Sequence, residues 1–485
     1  MKKIGFFPPI AIATAVIIIS IAGVKLIEKT SFSSGQESQI ITETNPNNST
    51  SNTANTSSTS IQSRISYGDR VLVNKEESGS ENEAFQAAKK RGVEEMAAGN
   101  YEKATIEFEA AIQKYRNAPE TLIYLNNARI GTNKKYTIAV AVPIGSDLNG
   151  ALEILRGVAQ SQNEVNQAGG INGVPLRVVI ANDDDEPQMA KQIGASLVKD
   201  SEVLGVVGHF SSGATLAAGE EYDAGKLVAI SPVSTAVKLS DFSRYVFRTV
   251  PNDAIAAKAL ANYMLTRWKK KKAAVFFNSK STYSKSLKSK FVEEVFANGG
   301  QVEKELEFDL SDSSFSARNS VKKALEKGTQ VLMLAANTGT LDKALLVIQA
   351  NQKQLSLLGG DDVYAPKILA DGGEAAVGML VAVAWHIDGN PGSDFPRRSE
   401  QLWQSRVSWR TATSYDAAQA LIAALQRNPS RPGVQQALST SDFSAAGASG
   451  TVQFLSSGDR NAPVQLVEIR PGKISRTGYD FVPIR

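Results

Sequence analysis

Cysteine is missing from the chain altogether, which excludes disulfides, thiolate metal sites, a cysteine nucleophile and a lipid-modified N-terminal cysteine. Histidine is nearly as scarce. His209 and His386 are the only two, too few for a histidine-rich metal centre, and they leave little room for a histidine-based catalytic triad. An excess of either charge is also lacking. Lys and Arg number 53 against 49 Asp and Glu, and a net charge of +4 over 485 residues marks no basic face for nucleic acid. No GxGxxG follows a strand, and neither a Walker P-loop nor a GxSxG nucleophile elbow occurs. These absences speak against an enzyme, a metal and a bound cofactor.

What is present is enough to fold. Hydrophobic residues make up 42% and charged residues 21%, the balance of a chain with a sizeable core, and the length suggests several folding units. Lys2 and Lys3 precede an uncharged apolar run from Ile4 to Val24, closed by Lys25. Its 21 residues are near the ~20 that span a bilayer as a helix, although Pro8 and Pro9 delay the helical part to about Ile10. Residues 1–29 therefore read as a membrane anchor or as a signal peptide, Ser20 and Ala22 offering small residues for cleavage. Both place the remainder outside the cytoplasm, in the periplasm, tethered to the inner membrane or released. Residues 30–64 are rich in Ser, Thr, Asn and Gln with little to bury, which predicts a flexible tether.

Residues 65–134 are expected to hold a helical hairpin. Phe85, Ala88, Val93 and Met96 form an apolar stripe at roughly helical spacing, and Gly99-Asn100 supplies a turn. The stretch GNYEKATIEFEAAIQKYRNAPETLIYLNNA resembles a tetratricopeptide repeat over about one and a half units. Fewer than about three such units do not stand alone, so the hairpin is expected to lean on the main body as an adaptor, a partner groove being the alternative.

After Lys135 apolar strands alternate with amphipathic helices: TIAVAVPI, PLRVVIAND, VLGVVGH, LVAISP, AAVFFN, VLMLAA and LSLLGG are the strands. Continuous apolar strands between helices predict an α/β fold whose parallel sheets are covered on both faces. In such sheets ligands bind outside the carboxyl ends of the strands. The ordered segments GGINGVPLRVVIANDD, VLGVVGHFSSGAT, LVAISPVST, YVFRTVPND, GGDDVYAP, GEAAVGM and YDAAQAL carry a resemblance that runs from Lys135 to about Tyr479. They are similar to the branched-chain amino-acid (Leu/Ile/Val) binding proteins of ABC importers, a branch of the class I periplasmic binding proteins. An N-terminal anchor and a repeat-like hairpin ahead of the body resemble the cyanobacterial members. The resemblance implies two α/β lobes joined by three crossovers, lobe 1 from about 135–251 and 384–460, lobe 2 from about 252–383 and 461–485.

Candidate ligand-holding residues lie at strand ends. GHFSSGAT puts Ser211 and Ser212 at a helix N-terminus, where hydroxyls and N–H groups suit a carboxylate, or where a serine merely caps the helix. The resemblance implies that Ser212 and Thr235 hold the ligand carboxylate, that Val233 offers its carbonyl to the ammonium, and that Tyr283 closes over the ligand. It also implies that Asp361 pairs with the ammonium, Asp362 being an adjacent candidate. Asn149 and Asn337 would face the cleft where the family favours aromatic residues, which points to a polar or small ligand rather than leucine. Asp183-Asp184-Asp185 reads as a solvated turn rather than a cation site. The implied function is capture of an amino acid or small amide and its delivery to an ABC permease; the alternative is a sensory or scaffold receptor built on the same clamshell.

Overall fold

A computed structural model of the chain describes residues 61–74, 82–390 and 392–484. The apolar segment and the tether as far as residue 60 lie outside these residues. Among the described residues no helix is long and apolar enough to cross a membrane.

The tether and hairpin boundaries need correction. Residues 61–74, divided in the sequence reading between a flexible linker and a helical hairpin, form an ordered strap instead. Its strand β1 (Ile65–Ser66) pairs antiparallel with the segment around Ile180–Ala181. Ile61, Ile65 and Tyr67 pack against the first lobe, which gives this polar-looking stretch enough apolar area to stay put. Three helices follow: α1 (Glu83–Ala97), α2 (Tyr101–Lys114) and α3 (Pro119–Ile130). Pro119 opens α3, where its missing N–H is no loss, and Gly131 ends it in a left-handed conformation (φ 55°). Helix α3 is buried on almost every side because α2 covers one face and lobe 1 the other.

One buried ion pair holds strap and helices together. Lys89 Nζ on α1 meets Glu120 Oε2 on α3 at 2.7 Å, both side chains being almost wholly out of water. Glu120 Oε1 accepts the Leu72 and Val73 N–H groups (2.7 and 3.0 Å) and the Tyr124 hydroxyl (3.0 Å), while Lys89 donates to the Val73 carbonyl (3.2 Å). The strap is thereby tied to both helices.

Lobe 1 is built from β2 (Tyr136–Val142), α4 (Leu148–Gln167), β3 (Leu176–Asn182), α5 (Pro187–Lys199), β4 (Val203–Val207), α6 (Ser212–Gly225), β5 (Ala229–Ser231) and β6 (Val246–Arg248). Its sheet runs β1-β3-β2-β4-β5-β6, parallel throughout except for β1. Lobe 2 follows with α7 (Asp253–Asn262), β7 (Ala273–Phe277), α8 (Thr282–Ala297), β8 (Glu307–Asp309), α9 (Ala317–Glu326), β9 (Val331–Ala335), α10 (Leu341–Asn351), β10 (Ser356–Gly359), α11 (Pro366–Ala376) and β11 (Leu380–Val383). The chain then returns to lobe 1 with α12 (Phe395–Trp403), α13 (Trp409–Arg427), α14 (Arg431–Leu438) and the small hairpin β12 (Ala445–Gly447) and β13 (Gly450–Val452). It ends in lobe 2 with β14 (Gln465–Pro471) and β15 (Tyr479–Pro483), antiparallel at the edge of a sheet ordered β15-β14-β11-β10-β9-β7-β8.

The strands are apolar on both faces because helices cover both: Ile138 to Val142 are fully buried. Leu152, Leu155 and Val158 form the inward stripe of α4, each contributing about 1.5–3 kcal/mol by burial. Helix α13 crosses α4 so closely that a Cβ at Gly157 would collide with the Thr411 carbonyl. The connections between lobes are pinned to one another. Arg248, buried at the end of β6, donates to Asp459 on the third connection (2.7 Å) and to the Ala236 carbonyl (2.7 Å).

The Lys89–Glu120 pair yields a test. Replacing Glu120 by Gln keeps the acceptor for the strap but removes the carboxylate of the buried Lys89–Glu120 pair. Urea unfolding of E120Q is expected to show a loss of about 3–5 kcal/mol, the cost of a broken buried pair. A change below about 1 kcal/mol would mean that water reaches Lys89.

Candidate ligand-binding site

The loops that leave β3, β4, β5, β7, β9 and β10 meet between the lobes, as the carboxyl ends of parallel strands require. They enclose a cavity lined by Asp185, Phe210, Ser211, Ser212, Val233, Ser234 and Thr235 from lobe 1 and by Ser281, Tyr283, Asn337, Thr338, Asp361 and Asp362 from lobe 2. A deeper cavity shares Thr235 and Asp361 and extends past Asp253, Leu287 and Gly360 to Val383 and Ala384.

Seven of the eight residues singled out in the sequence thus lie around one space: Ser211, Ser212, Val233, Thr235, Tyr283, Asn337 and Asp361. Asn149 does not. Helix α4 starts one residue earlier, capped by Asp147 accepting the Gly150 N–H (2.9 Å), and Asn149 is left on its exposed face. Asn337 lines the cavity, yet its side-chain oxygen already accepts from Asn278 (2.8 Å) and from the Thr340 hydroxyl (2.8 Å). Only its amide nitrogen is left for a ligand.

Two helix N-termini face each other here. Ser211 caps α6, its hydroxyl accepting the Ala214 N–H (3.2 Å), and Ser281 caps α8 by accepting from Ser284 (3.2 Å). A Cβ on Gly213 in the first turn of α6 would lie 3.9 Å from Thr282 Oγ1 in the first turn of α8. Opposed helix ends concentrate free N–H groups and positive partial charge, which suits a carboxylate between them. Ser212 is buried, and its hydroxyl accepts the Ala236 N–H (3.2 Å), fastening α6 to the loop after β5. Ser234 joins the Thr215 hydroxyl (2.7 Å) to the Phe210 carbonyl (3.1 Å).

Beneath the serine loop sits His209, fully buried between the Asp183 carboxylate on Nδ1 and the Tyr222 hydroxyl on Nε2 (2.8 Å). The Asp183–Asp185 stretch is therefore not a solvated turn. Asp183 is consumed by His209, Asp184 pairs with Arg64 of the strap (2.6 Å), and Asp185 accepts the Ser211 N–H (3.1 Å) at the cavity wall. Tertiary contacts override the turn reading, since three adjacent carboxylates each find a different donor.

The charge balance of the cavity is one-sided. Asp362 pairs across the cleft with Arg410 on α13 (2.9 Å) and accepts the Thr338 N–H (3.1 Å). Arg410 lies over the Trp409 and Phe210 rings, outside the cavity wall. Burial pushes the Asp361 carboxyl up to about 7, with the neighbouring Asp362 charge adding to the effect and Arg410 opposing it. Burial likewise pushes Asp185 up to about 7 and Asp253 up to about 6. Asp253 and the Tyr283 hydroxyl are buried, the first beside Thr235 and Ser286 and the second beside Asp361, and neither Asp253 Oδ2 nor the hydroxyl makes a hydrogen bond of normal geometry. Asp185 and Asp253 were missed in the sequence. Asp185 stands in the loop just past β3 and Asp253 opens α7 after the first connection between lobes, and for Asp185 that placement is the signal that could have found it.

The family model for periplasmic binding proteins matches residues 135–473, and the chain belongs to that family. The leucine-, isoleucine-, valine-, threonine- and alanine-binding protein of Pseudomonas aeruginosa is 27% identical over 258 residues, 52% of this chain and 68% of that protein. An amino acid binding protein of the same organism is 34% identical, but the match spans only 31% of this chain and 40% of the relative. Among solved structures, a leucine binding protein of Thermotoga maritima superimposes with a TM-score of 0.63 at 23% identity, covering 71% of this chain and 97% of that one. A solute binding protein of Rhodopseudomonas palustris, solved with 3,4-dihydroxybenzoic acid, reaches 0.62 at 15% identity, covering 72% and 96%. Equal likeness to binders of such different molecules shows a shared fold and leaves the ligand to the cleft residues.

The buried carboxyls make stability depend on pH. An unfolded aspartate ionises near 3.9. Asp361, facing Asp362 on its own loop, Tyr283 on α8, Asp253 on α7 and Arg410 on α13, holds its proton to about 7. Between these values the folded state binds more protons, so stability of the empty protein falls as pH rises from about 4 to 7. Asp361→Asn is expected to stabilise the empty protein at pH 8 by on the order of 1 kcal/mol, with the gain fading towards pH 4. Thermal unfolding of both proteins across that range checks it; an equal effect at both ends would assign the change to something other than charge burial.

Proposed function

We propose that the chain is the extracytoplasmic solute-binding component of an ABC importer, capturing a small amino acid or a related amide between its lobes. The observation that carries this reading is the polarity of one cavity. The α6 N-terminus and the Ser211 and Ser212 hydroxyls stand on the lobe 1 side, and the Asp361 carboxylate, with no cation bonded to it, stands on the lobe 2 side. That is the layout a zwitterion needs: neutral donors for its carboxylate, a negative group for its ammonium.

In this reading Ser212, Thr235 and the first turn of α6 take the carboxylate in the open protein. The Val233 carbonyl and Asp361 then take the ammonium as lobe 2 swings in, with Tyr283 covering the ligand. The hinge is the set of three connections. The cavity is small, about 40 Å³, which favours a compact ligand. The Ile4–Val24 segment behind Lys2 and Lys3 would hold the protein at the outer face of the inner membrane, where an ABC permease receives the solute, or would be removed after export to the periplasm. The α1–α3 helices, tetratricopeptide-like in sequence, act here as an adaptor against lobe 1, the arrangement of the cyanobacterial-type members. The support is that α3 packs on α4 while β1 extends the lobe 1 sheet.

A thermal-shift screen of amino acids, amides and urea, followed by calorimetry, tests the assignment. Asp361→Asn keeps the shape and removes the charge. Affinity for an amino acid is expected to fall about thirtyfold, ~2 kcal/mol, and for a neutral amide much less. Absence of any amino acid or amide among the stabilising compounds would end this reading.

A further inference from the structure

The two adjoining cavities carry more negative charge than a zwitterion can answer. Asp185, Asp253, Asp361 and Asp362 line them, and among the described residues no Lys, Arg or His does. Arg410 answers Asp362 from behind the wall and Arg248 acts on Asp253 from further off, which leaves Asp185 and Asp361 without a bonded cationic partner. Asp253 and Asp361 border the same deep cavity, so a single ammonium placed there meets both. Asp185 is elsewhere. It lines only the outer cavity, on lobe 1, next to the serine loop and opposite Asn337, Thr338 and Asp362 of lobe 2. An ordinary zwitterion would set its carboxylate at the α6 N-terminus close to an unanswered Asp185.

Two buried polar groups that border this space keep bonding capacity for a ligand. The Tyr283 hydroxyl and Asp253 Oδ2 are out of water and make no hydrogen bond of normal geometry, and Asp253 is only 1% exposed. A metal ion is a poor candidate, because among the described residues no three His, Asp or Glu side chains converge on a common point. The missing charge therefore belongs to an organic cation.

We propose that the ligand is a compact basic amino acid, with its α-ammonium at Asp361 and a second cationic group, on its side chain, at Asp185. This rests on the amino-acid reading above and names the substrate class of the same site. Asp185 suits the role because its position is set: its Oδ1 accepts the Ser211 N–H (3.1 Å) and its own N–H donates to Asp183 Oδ1 (2.9 Å). A cation between Asp185 and Asp362 also answers the mutual repulsion of these two carboxylates, which face one another from opposite lobes. Closure and selection of the second charge are then one event, since neither carboxylate surrounds the cation until the lobes meet.

Calorimetry with isosteric pairs separates charge from size. The probes are 2,4-diaminobutyrate against norvaline, and ornithine against norleucine, each pair having side chains of equal heavy-atom count and differing by one ammonium. In the wild-type protein the diamino member of at least one pair is expected to bind about tenfold or more tighter, with the advantage shrinking as salt rises from about 0.05 to about 0.5 M. In Asp185→Asn the ratio within that pair should collapse to about twofold. Norvaline or norleucine binding as tightly as its partner would overturn the proposal while leaving the amino-acid reading intact. A preference that survives in a folded Asp185→Asn would remove Asp185 from the role. If none of the four binds and no other amino acid does, the amino-acid reading and this inference fall together.

Discussion

Buried negative charge between two lobes is the constraint that the site depends on. A carboxylate taken out of water costs several kcal/mol unless a partner answers it. Lobe closure brings Asp361, Asp362 and Asp185 to one cavity, and the protein itself supplies one cation to them, the Arg410 guanidinium. Arg410 comes from α13 in lobe 1 and Asp362 from lobe 2, so the pair forms only when the lobes are together. The remaining carboxylates are raised in pKa by their own desolvation, and that stored cost is what a cationic ligand group relieves. A closed state that is poor without ligand and good with it is how a clamshell couples binding to shape.

The rest of the machinery serves rigidity on the other side of the ligand. His209, clamped by Asp183 and Tyr222, supports the loop that carries Ser211 and Ser212. Ser212 and Ser234 tie that loop to the one after β5. Donors held in place before the ligand arrives lose no freedom on binding it. Lobe 2 contributes a carboxylate, a tyrosine and the end of a second helix to the cavity. The buried Arg248–Asp459 tie joins two of the three connections, so bending there is shared between strands instead of concentrated in one.

The extension ahead of the binding body is continuous with it in the physical sense that matters for stability. Strand β1 occupies an edge of the lobe 1 sheet that would otherwise present unpaired N–H and C=O groups. Asn127 on α3 donates to the Val178 carbonyl (2.7 Å) and accepts the Val178 N–H (3.1 Å), reaching into β3 with its amide. A linker that merely spaced two bodies would need none of this.

The alternation of apolar strands and amphipathic helices after Lys135 determined the α/β class, and serines or aspartates just past strand ends marked where chemistry would lie. Those signals are local: they rest on side-chain periodicity and on the rule that loops at strand carboxyl ends gather on one side of a sheet. Ser211 and Ser212 were legible for that reason, whereas Thr235, Tyr283 and Asp361 were named through the family resemblance. Asn149 was misplaced because the resemblance set it in the cleft, whereas it lies in the first turn of α4 on the face turned to solvent. Asp185 looked like one of three interchangeable carboxylates, and only the fold gave Asp183 to His209, Asp184 to Arg64 and Asp185 to the cavity. Asp253 and the Arg410–Asp362 pair depend on elements brought together across a cleft, and no periodicity reports such contacts. Composition and pattern thus determined the architecture and the position of the site, while its charge was decided by which carboxylates the tertiary structure left without a partner.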